Sequence, residues 1–145
     1  MMAQALKLYQ PCLCLTNAYY QHTEHCQSMS KIIPILRSFD ETLAAAFYID
    51  FLGAQETFRH RFDKDAPLYL GIVLQGAEIH LSEHHGDATP GSSIRININS
   101  LLSFYQSISA KKYRYARPAI VDQPWGQDLP ITDPFGNRLI FSEQS

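Results

Sequence analysis

Residues 79–87, IHLSEHHGD, set His80, His84 and His85 among Glu83 and Asp87. Imidazoles ligate divalent ions, and histidine is the side chain that changes charge near neutral pH. Strand alternation puts Ser82 and His84 on the His80 side and Glu83 and His85 on the other. His80 and His84 would then lie about 13 Å apart along an extended strand, too far to share an ion without a sharp bend. The plainer reading is a polar strand end in which His85, Gly86 and Asp87 make a turn. On that reading His84 and His85 do not coordinate. A second group, Cys12, Cys14, His22, His25 and Cys26, would suit zinc by residue type. Its spacing departs from the usual zinc pattern, because one residue separates the first two cysteines and Cys26 adjoins His25. Trp125, the only tryptophan, stands in DQPWGQD, either to stack on a planar or cationic ligand or to anchor its loop.

The totals narrow the function classes. With 145 residues, 46% apolar and 18% charged, the chain is one domain with a substantial core. A formal net charge of -2 argues against nucleic acid or an anionic membrane as partner. The nearest basic run, KKYRYAR at 111–117, reads better as a solvated helix end entering a strand than as a track for single-stranded nucleic acid. No stretch is long and apolar enough to span a membrane. ALKLYQPCLCL is broken by Lys7, Gln10 and Pro11 and lacks a secretory pattern, so the expected location is cytoplasmic. All three cysteines fall in the first 30 residues, and an odd count confined to one end makes no disulfide framework. Residues 1–30 lack periodicity and read as an N-terminal extension outside the core, with Met29-Ser30-Lys31 resembling an initiator region.

From Lys31 the punctuation is regular. KIIPILR (31–37) predicts a strand with Pro34 at a bulge or edge. Ser38 and Glu41 have capping-box spacing, with Asp40 a rival cap. Residues 41–52 carry a helical stripe of Leu43, Phe47 and Phe51 flanked by Ala44, Tyr48 and Leu52, closed by Gly53. Three strands follow, in AQETFRHRF, PLYLGIVLQ and AEIHLSE. After the breaker-rich HHGDATPGS the order restarts. SIRININ (93–99) alternates strictly, Asn99 or Ser100 caps a helix with Leu101, Phe104, Tyr105 and Ile108 on one face, and strands are expected around YRYARP, DLPITD and NRLIFSE. DPFGN (133–137) turns between the last two. The chain therefore reads βαβββ twice, as modules 31–87 and 92–145 of one α+β domain, 31–145.

PILRSFDETLAAAFYIDFLGAQ, IHLSEHHGD and DPFGNRLIF together resemble the vicinal oxygen chelate superfamily of glyoxalases, bleomycin-resistance proteins and dioxygenases, over about four fifths of the chain. The resemblance is nearest to bleomycin-resistance-type, glyoxalase-like proteins. It implies a cupped mixed sheet with helices on the outer face, and a homodimer. In metal-dependent members it implies four ligands, at positions held here by Ile33, His80, Ser93 and Ile140. Of these only His80 is a strong ligand for a divalent ion, and this departure from the family pattern gives the expectation of no metal and no cofactor.

Alternation around the cup then gives the expected ligand-binding residues Arg37, His80, Ser93, Arg95 and Arg138, and the resemblance adds Trp125, whose loop in similar proteins folds near the mouth of the cup. The arginines would make the cup cationic, suiting a carboxylate or phosphate, with Glu78, Glu83 and Asp122 able to offset them. The expected function is sequestration of a small molecule, an antibiotic for instance, rather than catalysis. The alternative is a lyase, isomerase or dioxygenase using His80 as ligand or base; a third reading is an interaction module without a small ligand.

Overall fold

The computed structural model describes residues 30–144 except 112 and 115. The chain divides between Ser30 and Lys31, and the unit Lys31–Ser145 carries every element below. The cysteine and histidine group at residues 12–26 lies outside the described residues. In order come β1 (Ile35–Arg37), α1 (Glu41–Ala44) running into a π-helical segment (Ala45–Phe51), β2 (Gln55–His60), β3 (Tyr69–Leu74) and β4 (Ala77–Ser82). The second module supplies β5 (Ser93–Asn97), α2 (Leu101–Ser109), β6 (Val121–Gln123), β7 (Gly126–Thr132) and β8 (Arg138–Gln144). Each module forms its own four-stranded mixed sheet, ordered β1-β4-β3-β2 and β5-β8-β7-β6. The first strand of each pairs in parallel with the last, and the remaining pairs are antiparallel.

The registers repeat. Ile35 stands opposite His80, and Arg95 opposite Ile140, each sixty residues after its counterpart. Along the strands one alternate set is buried: Leu36, Leu70, Ile72, Ile79 and Leu81 in the first sheet, and Ile96, Leu129, Ile131, Leu139 and Phe141 in the second. Phe104 of α2 meets Phe141 with ring centroids 4.6 Å apart. The other alternates form what is called here the cup face of each sheet.

Local chemistry fixes where the elements begin and end. β1 starts at Ile35 rather than Lys31, because Pro34 has no N–H for a ladder. The Pro34 carbonyl still accepts from the His80 N–H at 3.0 Å. Asp40, not Ser38, is the N-cap, accepting from the Leu43 N–H at 2.8 Å. Beyond Ala44 the turn widens, and the Leu52 N–H reaches the Phe47 carbonyl five residues back at 2.9 Å. That buries the adjacent Phe47 and Tyr48 together and leaves Leu43, expected in the stripe, 44% exposed. No strand forms around YRYARP among the described residues. There Tyr113 stacks on Phe51 at 4.6 Å, Pro118 cannot donate, and the strand comes later, as β6.

The two modules meet through buried polar contacts. The Tyr48 hydroxyl donates to Asp133 at 2.7 Å, and the Asn137 amide donates to the Arg37 carbonyl at 2.7 Å. Lys111 closes the π-helical end, donating to the carbonyls of Asp50 at 2.8 Å and Phe51 at 3.0 Å.

Candidate functional site

On the first cup face His80 is the centre of an aromatic cluster. Its Nδ1 lies 2.9 Å from the Tyr69 hydroxyl and its Nε2 3.4 Å from a Glu78 oxygen. Phe58 stacks on Tyr69 with 16° between the rings and meets His80 edge-on at 5.1 Å. Glycine at 71 makes this possible, since a methyl group there would fall 2.2 Å from the Phe58 ring. Burial, and then the charge of Asp87, raise the Tyr69 phenol above its ordinary value.

The strand end past His80 is held by its own turn. The Ser82 hydroxyl donates to Asp87 at 2.6 Å and accepts from the His84 N–H at 3.1 Å. Arg37 donates to the His84 carbonyl. The His84 ring stays near Phe62 and Tyr69, while His85 is exposed. Among the described residues no three His, Cys, Asp or Glu side chains converge as a metal site requires. The four superfamily ligand positions do not fit a metal either. Ile33 and Ile140 offer no donor, a neutral Ser93 is a weak one, and His80 stands alone.

The second cup face is built differently. Arg95 clamps Asp128 with both guanidinium nitrogens, at 2.7 and 3.1 Å, and also donates to the Ser142 hydroxyl at 2.8 Å. Ser142 in turn donates to Asp128 at 2.6 Å. Trp125, half exposed, lies 5.7 Å over the Arg95 guanidinium. Arg95, Trp125, Asp128, Pro130, Arg138 and Ile140 wall a cavity of about 310 Å³. A wider groove of about 710 Å³ runs at the seam of the modules, between Ile33, Glu78 and Arg95.

The six expected ligand-binding residues thus fall on two faces: Arg37 and His80 on one, Ser93, Arg95, Trp125 and Arg138 on the other. Ser93 pairs with Arg138 at the exposed start of its strand. His80 lines neither cavity. The three arginines expected to make the cup cationic divide between the faces: on the first, Arg37 donates to the neutral His84 carbonyl and keeps its charge, and on the second the Asp128 carboxylate neutralises Arg95 and leaves Arg138. The expected offsetting acids are also occupied: Glu83 accepts from the Leu68 N–H at 2.8 Å, Asp122 from Gln127 at 2.8 Å, and Glu78 faces His80. Asp128 escaped the sequence reading. Its one signal is a carboxylate inside an expected strand, and nothing local names Arg95, 33 positions away, as its partner.

The hydrogen bond from Arg95 holds the Asp128 carboxyl below its ordinary 3.8, against the opposing effect of burial, with Ser142 and Trp125 helping to lower it. A depressed folded-state value means the pair's stability is present above about pH 4 and is lost as pH falls through that lower value. Asp128→Asn should therefore be less stable than the parent at pH 6, yet lose less between about pH 5 and pH 3. Urea midpoints at the three pH values check this, and equal acid losses in parent and variant would refute it.

Comparison with known proteins gives a family and a fold. A family model described as a glyoxalase superfamily protein matches residues 19–145. No curated protein matches. A glyoxalase-related enzyme from Clostridium phytofermentans superposes with a TM-score of 0.65 at 18% identity, covering 84% of this chain and 100% of that one. A bleomycin resistance determinant encoded on transposon Tn5 gives 0.62 at 23%, covering 80% and 98%. A bleomycin-binding protein complexed with bleomycin gives 0.58 at 22%, covering 80% and 99%.

Proposed function

The chain belongs to the glyoxalase superfamily, and on that premise we propose that it binds a small organic molecule on its cup faces without metal-dependent chemistry. The observation that carries this reading is the donor set: of Ile33, His80, Ser93 and Ile140, one residue can ligate strongly. An apolar wall with a few fixed polar groups, as around Trp125, is what a small-ligand site needs. Bleomycin, bound by one structural neighbour, is the first antibiotic to try. The exposed Ile35, Phe58 and Phe62 on the first cup face suit cover by a second copy, so a homodimer in the cytoplasm completes the proposal. No helix among the described residues is long and apolar enough to cross a membrane.

Elemental analysis of protein purified without chelator or affinity tag, then offered zinc, nickel, manganese and ferrous iron, should find far less than one retained ion per chain. One tightly held ion that supports turnover and is lost with His80→Ala would overturn the reading. The second reading, a histidine-based enzyme, is favoured by the chain of contacts from Tyr69 through His80 to Glu78. Turnover that survives His80→Ala would remove it.

A further inference from the structure

We propose that the cavity beside Trp125 takes a planar aromatic monocarboxylate, with Arg138 as the cation that holds its carboxylate. The proposal rests on the small-molecule reading above and names the ligand class for one of its faces.

Charge decides the sign of the ligand. Three charged groups wall the cavity: Arg95, Asp128 and Arg138. Arg95 and Asp128 neutralise one another through two hydrogen bonds, and Ser142 ties both. Among the described residues Arg138 makes no ion pair, and it is exposed on the cup face of β8. Asp122 does not oppose it, because Val121 and Gln123 line the cavity while Asp122 accepts from Gln127. One uncompensated positive charge remains, which matches a monoanion better than a dianionic phosphate ester and repels a cation. The planar guanidinium fork suits a carboxylate, which it can grip with two parallel hydrogen bonds.

Shape decides the rest. Arg95 sits over one face of the Trp125 indole, and half of that side chain is still open. Pro130 and Ile140 are neighbours on adjacent strands and supply an apolar floor. A flat ring can stack on the open indole above that floor. At about 310 Å³ the cavity is at the small end of ligand sites, so one or two fused rings fill it. Arg95 in this scheme is a positioning residue, fixing the indole rather than meeting the carboxylate.

The test is calorimetric titration with three probes of one shape: 2-naphthoate, neutral 2-naphthamide and the cation 2-naphthylmethylammonium. The acid should bind more tightly than the amide by about tenfold or more, and the cation should be weakest. Arg138→Gln should weaken naphthoate about tenfold or more and leave the amide unchanged, with Arg138→Lys intermediate. Trp125→Leu should weaken acid and amide alike. Because Arg138 is exposed and unpaired, its variants should keep the parent's urea midpoint, which separates a lost contact from a lost fold. An amide or cation that binds as well as the acid, or an Arg138→Gln variant as tight as the parent, overturns the inference. So does failure of naphthoate to bind; if bleomycin then binds, the small-molecule reading stands. A retained metal ion that supports turnover defeats that reading whatever naphthoate does.

Discussion

Asp133→Ala is expected to destabilise the protein by about 3–5 kcal/mol, read as a lower urea midpoint at unchanged slope. The carboxylate accepts four hydrogen bonds while only 5% exposed: from the Tyr48 hydroxyl at 2.7 Å, the backbone N–H groups of Phe135 at 2.9 Å and Asn137 at 2.7 Å, and the Asn137 side-chain amide at 2.7 Å. Alanine leaves those donors buried without an acceptor, and a buried donor left alone loses its full hydration. The damage crosses the seam, because Asn137 also holds the Arg37 carbonyl and Tyr48 belongs to the first module. Tyr48→Phe removes one of the four donors and leaves the turn intact, so it should cost about 1–2 kcal/mol. If the alanine variant costs no more than the phenylalanine variant, Asp133 is not the joint between the modules.

That joint also marks what the sequence could convey. DPFGN was legible as a turn, since aspartate accepts from backbone two and four residues on and Gly136 takes a φ of 89°. That the same aspartate reaches Tyr48, 85 positions earlier, was not, because no local rule carries information over such a separation. The alternation of β4, β5 and β8 was legible for the same local reason, and in those strands His80, Arg95 and Arg138 stand on the face opposite the buried alternates Ile79, Ile96 and Leu139. The electrostatics of that side were not legible. Alternation places Arg95 but is silent about Asp128 on the second-neighbour strand, and the difference decides whether the cavity beside Trp125 is lined by one uncompensated arginine or two.

The helix is less regular than its apolar period implies. A 3.6-residue period places Leu43 in line with Phe47, but the chain buries Phe47 and Tyr48 as neighbours by opening to π-type spacing. Burying two adjacent aromatic rings outweighs the poorer hydrogen-bond geometry, and Leu43 turns outward. Proline governs the other two departures, since Pro34 and Pro118 each delay a strand that composition alone would have started earlier. The cup itself divides for a topological reason. Two βαβββ runs specify two sheets, and each sheet has a cup face of its own.

Gly126→Ala is expected to cost about 3 kcal/mol or more, and Gly76→Ala only about 1 kcal/mol. Both glycines have positive φ, 139° and 80°, so each variant forces an L side chain into disfavoured backbone. They differ in what the new methyl group meets. At Gly76 nothing lies within 4 Å, so the variant measures backbone strain alone. At Gly126 the added carbon would sit 2.1 Å from the Glu143 carbonyl oxygen and 3.0 Å from the Gln144 Cα. Both are main-chain atoms of β8, and no side-chain rotation relieves the clash. β7 and β8 must separate at the point where Gly126 pairs with Gln144. Glu143 would shift with them, and it accepts from the Leu101 N–H at 3.2 Å at the start of α2. Trp125 immediately precedes the displaced residue, so its fluorescence should move toward that of free tryptophan in the native Gly126→Ala protein and stay at the parent's in Gly76→Ala. Equal urea midpoints for the two variants would mean that the β8 backbone yields freely, and that the Trp125 wall is not fixed by this close approach.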